Sequence, residues 1–371
     1  MDFDFSDDQK SLKSEARRFL EAKCPVSVVR GVLNDDGKTH DIGLWKAVAE
    51  QGWLGAAIPE AHGGLGLGGA DLCLIAEELG RSLAPIPFAS TVYFVAEALI
   101  LAGSEAQKAK WLPKIAAGEI IGCFATSERA GALTEGQIQA TVQGGKLSGI
   151  KIPVTDGAAA DLAVVLAKEA GRIGLYLVEL GGDGVSRETL ETLDPTRNVA
   201  RVTFTGAAAE LLGDAGEGMA LTEAVLDRAA VYLAFEQVGG ADRCLEMAKS
   251  YALERYAFGR VIGSYQAIKH KLADMYIKTE LARSNAYYGA WALGEGGTDL
   301  KIASASARVA ATEAFWFAAK ESLQTHGGMG YTWEVDCHLY YRRSQQLGLV
   351  AGGSKAWKER LVTQLERRNA A

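Results

Sequence analysis

Two stretches in the last third of the chain bring together groups that could hold a large anion. Arg255-Tyr-Ala-Phe258-Gly259-Arg260-Val-Ile-Gly263-Ser-Tyr-Gln266 offers a cation, an aromatic ring, a glycine turn and an amide where a long helical pattern ends. Gln324-Thr-His-Gly327-Gly328-Met-Gly330-Tyr331-Thr332 is a second corner of the same kind. A guanidinium fork suits phosphate oxygens, and glycine lets a backbone approach a ligand closely. Taken alone, each stretch also reads as a glycine turn between two bundle helices. Together they point to a large polar molecule gripped at helix ends.

Other chemistries find less support. Gly64-Leu-Gly66-Leu-Gly-Gly69 matches GxGxxG, but that fingerprint has meaning only between a strand and a helix of a βαβ unit, and this copy follows Pro59-Glu-Ala-His-Gly-Gly in a helical region. The five histidines (His40, His62, His270, His326, His338) make no HExxH and no i,i+4 pair, so no metal set is expected. A GxSxG elbow and a phosphate loop ending in Gly-Lys-Ser/Thr are both missing. The cysteines Cys24, Cys73, Cys123, Cys244 and Cys337 are scattered and odd in number. Neither a disulfide framework nor a zinc site is expected from them.

The elements that must carry the two corners follow from periodicity. Up to about residue 120 the chain reads as five or six short helices, among them 7–22, opened by Ser6, and 44–51, 71–83 and 91–102, with Gly63-Gly64 and Pro85-Ile86-Pro87 as breaks. Between about 121 and 212 the period shortens. Residues 139–149 read as two strands across Gly144-Gly145, and 161–167, 174–180 and 199–205 as further strands. With no long helix among them, an antiparallel barrel or sandwich is expected. From Gly216 onward helical periodicity returns over 218–253, 266–293, 298–324 and 335–368, the pattern of an antiparallel four-helix bundle. The expected fold is therefore α+β and multidomain: a helical domain (1–120), a β domain (121–215) and a bundle (216–371).

Composition bounds the partners. With 39 Lys and Arg against 46 Asp and Glu, the formal charge of -7 disfavours nucleic acid, so an anionic ligand needs local basic groups. No run of about 18 apolar residues predicts a membrane span. The start, Met1-Asp-Phe-Asp-Phe-Ser-Asp-Asp, is acidic where a secretory signal is basic. A cytoplasmic location is the expectation.

The corner residues resemble a known family. Glu254-Arg255-Tyr-Ala-Phe258-Gly259, Gln266 through Asp274, and Gln324 with Gly327-Gly328-Met-Gly330-Tyr331-Thr332 look like the acyl-CoA dehydrogenase family. Pro59-Glu60-Ala-His-Gly63-Gly64, Thr126-Ser127-Glu128 and Gly213-Asp-Ala-Gly216-Glu-Gly218 agree, and the resemblance covers nearly the whole chain in the same order. It implies FAD held between the β domain and the bundle, with a neighbouring subunit covering the adenosine half, and hence a homo- or hetero-tetramer. By position Ser127 and Thr155 resemble hydroxyl contacts to the flavin ring. Arg255, Phe258, Gln266, Gln324, Gly327 and Gly328 resemble contacts to the pyrophosphate and adenosine half of the neighbour's FAD. The implied reaction is α,β-dehydrogenation of an acyl-CoA thioester, as in the β-oxidation of lipid or steroid acyl groups, with an electron-transfer flavoprotein as acceptor.

At the catalytic base the chain departs from the family. Many members carry a Glu in a Tyr-Glu-Gly-Thr stretch, where this sequence has Val350-Ala351-Gly352-Gly353-Ser354; a minority carry it on the first bundle helix, at a place aligned with Ala229. The catalytic residue is therefore unknown. Asp227 resembles a substrate-channel residue and is assigned to substrate binding. Glu236, two helical turns beyond Ala229, reads either as an unusual base or as a helix-surface or subunit-contact carboxylate. Pro153 stands where members often stack a Trp on the flavin, and the Thr-Glu-Pro-x-Ala-Gly-Ser-Asp loop is eroded to Ser127-Glu-Arg-Ala-Gly131-Ala-Leu. Some heterotetrameric members, including those acting on steroid or ring-derived acyl-CoAs, divide labour: one subunit holds the base and the other completes the FAD site. A base-lacking partner in an α2β2 enzyme is thus one reading. A redox-inactive binding protein on the same fold and a flavin oxidase or monooxygenase are the others.

Overall fold

The computed structural model describes residues 5–295 and 297–370; the acidic opening, residues 1–4, lies outside them. The chain divides into two compact units. A bundle unit takes residues 5–27, 69–84 and 230–370, and a sheet unit takes 28–68 and 85–229.

In the bundle unit α1 (Asp7–Lys23) starts at a reciprocal cap: Ser6 Oγ accepts from the Gln9 amide and Gln9 Oε1 accepts from the Ser6 amide. Its inner face reaches α4 (Gly69–Arg81) by Lys13–Glu77 and Arg17–Glu78 ion pairs at 2.6 and 2.9 Å. Helix α7 (Gly218–Glu254) brings the chain into this unit; α8 (Gln266–Glu295) and α9 (Gly297–Thr325) follow. Small side chains permit the close crossings. A Cβ on Gly239 of α7 would lie 1.8 Å from the Glu77 carbonyl oxygen, and one on Gly80 of α4 would lie 1.9 Å from that of Glu236.

The fourth long helix departs from expectation. It is two helices, α10 (Cys337–Leu349) and α11 (Ser354–Ala370), parted by a turn in which Ala351 and Gly352 take φ of 62° and 99°. The freed carbonyls have specific donors. The buried Arg308 guanidinium donates to the Leu347 and Val350 oxygens, and Trp357 Nε1 donates to the Ala351 oxygen at 3.0 Å.

The sheet unit is entered along α2 (Val26–Leu33) and contains α3 (Ile42–Glu50), a buried π-helical stretch Ala89–Ala96 running into α5 (Glu97–Ala102), and α6 (Glu105–Ala116). Eight strands form one sheet: β1 (Gly122–Ala125), β2 (Thr141–Gln143), β3 (Lys146–Thr155), β4 (Leu162–Glu169), β5 (Arg172–Glu179), β6 (Val185–Leu190), β7 (Val199–Ala208) and β8 (Glu210–Leu212). The order is β6-β7-β3-β2-β4-β5-β8, with β1 also on β4. Gly144 and Gly145 sit at φ 54° and 71° in the two-residue β2–β3 loop, as a primed hairpin turn requires. The sheet is mostly antiparallel, as expected, but β1 and β2 both run parallel to β4. Strand β4 can serve both because its first six residues are buried, the run of apolar side chains that a two-sided core demands.

Candidate functional site

The two glycine corners meet in the bundle unit. Helix α7 is followed by a two-rung hairpin, β9 (Tyr256–Ala257) with β10 (Arg260–Val261), and a 3-10 turn Ile262–Ser264 leads into α8. The corner is folded on itself: the Ile262 amide donates to the Arg255 oxygen at 2.8 Å, Tyr265 Oη donates to the Ala257 oxygen at 2.9 Å, and the Arg260 guanidinium lies 4.0 Å from the Tyr265 ring centroid. Across from it α9 ends and a 3-10 turn, Gly327–Tyr331, follows. His326 locks this second corner. Its Nδ1 is hydrogen-bonded to the Ser322 oxygen at 2.7 Å, and its ring stands 4.4 Å from that of Tyr251.

Between the corners lies a cleft of about 440 Å³, lined by Tyr251, Arg255, Ala257, His326, Gly327 and Gly328 among others. Arg255 is exposed and makes no side-chain ion pair or hydrogen bond among the described residues. A Cβ built on Gly327 or Gly328 meets no heavy atom within 4 Å, and Gly327 has φ 61°. Bare backbone and an uncommitted guanidinium thus face one space, which fits a phosphate-bearing ligand of the expected kind.

The remaining bundle-unit candidates belong to the same corners without lining the cleft. Phe258 stands at the hairpin tip, 97% exposed and at φ 54°. Gln266 opens α8 and Gln324 lies in the last turn of α9, both exposed. Sequence reasoning missed Tyr251 and His326 as cleft residues. For Tyr251 a signal existed, since it lies one helical turn before Arg255.

Ser127 and Thr155 lie in the sheet unit. Ser127 follows β1, and its carbonyl accepts from the Ile152 amide at 2.9 Å. Thr155 ends β3 opposite Val199. Both residues are half-buried, and neither hydroxyl has a hydrogen-bond partner among the described residues. Asp227 of α7 is buried beside Arg228, whose Nε donates to Glu97 Oε2 at 2.6 Å.

No carboxylate stands at either place where a base was sought. Residues 350–354 form the α10–α11 turn, and Ala229 is fully buried. Glu236 is buried in the bundle unit 3.9 Å from Arg343, itself 1% exposed. That carboxylate is an ion-pair partner in a helix core rather than a helix-surface group. Burial also pulls the neighbouring Arg308 down to about 10, a cost that Glu236 offsets only in part.

Comparison with known proteins agrees with this geometry. The model of the acyl-CoA dehydrogenase N-terminal domain matches residues 6–119 and that of the C-terminal domain matches 216–364. The acyl-CoA dehydrogenase IpdE2 of Mycobacterium tuberculosis is 33% identical over 323 residues, 86% of this chain and 85% of its own. Among solved structures, butyryl-CoA dehydrogenase from Megasphaera elsdenii superposes with a TM-score of 0.90 at 27% identity, covering 98% of this chain and 100% of its own. A chain of the ChsE4-ChsE5 complex from Mycobacterium tuberculosis does so with a TM-score of 0.88 at 27% identity, covering 99% of each. With both terminal domains matched and a relative one-third identical over most of both chains, the chain belongs to the acyl-CoA dehydrogenase family.

Proposed function

We propose that this chain is the base-lacking subunit of a two-component, FAD-dependent acyl-CoA dehydrogenase. The family's activity is oxidation of a CH–CH bond next to an acyl thioester. The observation that carries the reading is a contrast within the bundle unit: Arg255 with the bare Gly327–Gly328 backbone lines an intact cleft, while the 350–354 turn holds no acid. FAD, when bound, supplies the acceptor for the β-hydride, chemistry that no side chain can provide.

This chain's own residues then have limited tasks. Arg255 binds the pyrophosphate oxygens, and Gly327 and Gly328 admit the nucleotide to within backbone hydrogen-bonding distance. Phe258, Gln266 and Gln324 present their exposed side chains to the adenosine half from the corners' outer surface. In the sheet unit the uncommitted hydroxyls of Ser127 and Thr155 face the ring of a flavin. Asp227 orients the thioester arm. The α-proton is taken by a carboxylate of the unlike subunit. An electron-transfer flavoprotein as acceptor and a cytoplasmic setting complete the proposal. Among the described residues no helix is long and apolar enough to cross a membrane. The segments matched by the family models support the division 1–120, 121–215 and 216–371.

The test is co-purification with a related subunit, followed by a visible spectrum and an acyl-CoA panel. Flavin and turnover in the pair, with neither in this chain alone, are expected. A fully flavinylated, active homotetramer would refute the proposal.

A further inference from the structure

The sheet unit contains an ion pair whose placement is unusual for a β core. Lys151, in the middle of β3, is completely buried. Its Nζ donates to Glu128 Oε1 at 2.7 Å and to the Thr126 oxygen at 3.2 Å. Glu128, with a side chain 10% exposed, spends its other acceptor capacity on backbone: Oε2 accepts from the Gln139 amide at 2.8 Å and Oε1 from the Ala140 amide at 3.0 Å. The next residue of β3 adds one more tie, from the Ile152 amide to the Ser127 oxygen. Three successive residues, 126, 127 and 128, are thereby fastened to two successive residues of one strand.

The stretch so fastened has no regular secondary structure of its own. These bonds tie the backbone on either side of Ser127, and with it the Cα–Cβ vector, to β3. A buried ammonium is costly even when paired, and well-packed apolar side chains often replace such pairs without loss of stability. The chain nonetheless retains the charges. Burial pulls the Lys151 ammonium below its ordinary value, against the hydrogen bond it donates to Glu128. For Glu128 burial works upward, but the Lys151 hydrogen bond and the two amides outweigh it and hold the carboxyl below its ordinary range. Every bond of the pair runs to a fixed partner, Nζ to Oε1 and the Thr126 oxygen and the carboxylate to two backbone amides, so the geometry is that of a clamp.

We infer that Lys151 and Glu128 are positioning residues for the flavin-facing hydroxyl edge: their ion pair fixes the 126–128 segment on β3 so that the Ser127 hydroxyl is held toward the flavin ring. This rests on the assignment of Ser127 made under Proposed function. Lys151 is wholly buried and the Glu128 carboxylate is committed to Lys151 and two amides, so the effect passes through the direction of Ser127.

The experiment uses the chain assembled with its partner subunit and reads the visible absorption of the bound flavin, its reduction potential and FAD retention. The single variant Lys151→Met leaves Glu128 without its cation and can fail to fold, so the charge-balanced E128Q/K151M double variant is made beside it, with Lys151→Arg as the conservative control. Ser127→Ala is expected to shift the flavin band and weaken FAD retention about tenfold. The double variant is expected to give the same shift at near wild-type melting temperature and to add nothing to Ser127→Ala when combined with it, whereas the single variant Lys151→Arg, which keeps the ion pair, is expected to leave the flavin band in place. A double variant with wild-type spectrum, potential and FAD retention would overturn the clamp while leaving the Ser127 assignment standing. If Ser127→Ala itself changes none of the three, the assignment of Ser127 falls and the clamp falls with it.

Discussion

A single side chain sets the affinity expected of the bundle-unit cleft. Arg255 is exposed and uncommitted, so its removal disturbs no internal bond. A charge-assisted hydrogen bond contributes about 1.5–3 kcal/mol, and Arg255→Ala is expected to weaken FAD binding by about 10–150-fold with no change in apoprotein melting. Arg255→Lys restores the charge but not the planar fork and falls between. Titration of the apo complex with FAD measures both. Glu77 is the opposite kind of residue. It is 1% exposed and takes Lys13 at 2.6 Å and Arg283 more closely still. Burial would push its carboxyl up, but the two cations pull it below the usual range. The folded value lies under the unfolded one, about 4.3, so the stabilisation is complete above that pH and is lost as pH falls through the folded value. Glu77→Gln takes the carboxylate from Lys13 and leaves Arg283 to Glu280 and Asp242, and it is expected to cost about 3 kcal/mol at pH 7. Urea melts should show the gap between variant and wild type closing below pH 4.

At the scale of elements the decisive packing is glycine against backbone. Alanine favours a helix interior over glycine by about 1 kcal/mol, yet at Gly239 a Cβ would sit 1.8 Å from the Glu77 oxygen and 3.0 Å from the Arg81 amide. Backbone cannot rotate away as a side chain can, so α4 and α7 would have to separate. Gly239→Ala is expected to destabilise by about 3 kcal/mol or more, seen as a lower melting temperature with both corners intact. The elements that were legible in the sequence share a property: each has enough residues for a period to show. Helices α1, α7, α8 and α9 agree with expectation to within about two residues. Strands β1, β6 and β8 were missed. Two of them have only three or four residues, and β6, Val-Ser-Arg-Glu-Thr-Leu, is largely exposed, so neither face carries an apolar signal. The break after α10 was missed for a different reason. It is held by donors from distant sequence, Arg308 and, across the turn, Trp357, and no local pattern announces a tertiary cap. The candidate site divides the same way. Its glycines and Arg255 were legible because turns have a residue chemistry, whereas the Lys151–Glu128 clamp joins residues 23 apart through strand pairing that only the fold supplies.

For the whole molecule the informative surface is the apolar one left bare. In the bundle unit Tyr256, Phe258, Tyr276, Ile277, Leu281 and Tyr331 are each more than half exposed, and exposed apolar area on this scale marks an association surface. Phe258 is the sharpest case, an almost fully exposed ring at a hairpin tip with positive φ. A bulky residue in that conformation costs energy that the isolated subunit does not recover, so its return is expected from a neighbouring chain or the nucleotide lying against it. Phe258→Asp should therefore leave the melting temperature of the lone subunit unchanged and halve or abolish recovery of the complex in co-purification. The acid-free turn at 350–354 makes the companion expectation: adding acyl-CoA to the lone chain supplied with excess FAD gives no bleaching of flavin absorbance, while the pair bleaches on mixing. Bleaching by the lone chain would place the base among its own residues and remove the reason for an unlike partner. Flavin missing from every pairing would leave only the fold in common with the family. Rapid reoxidation of the bleached pair by dissolved oxygen would replace the dehydrogenase with an oxidase.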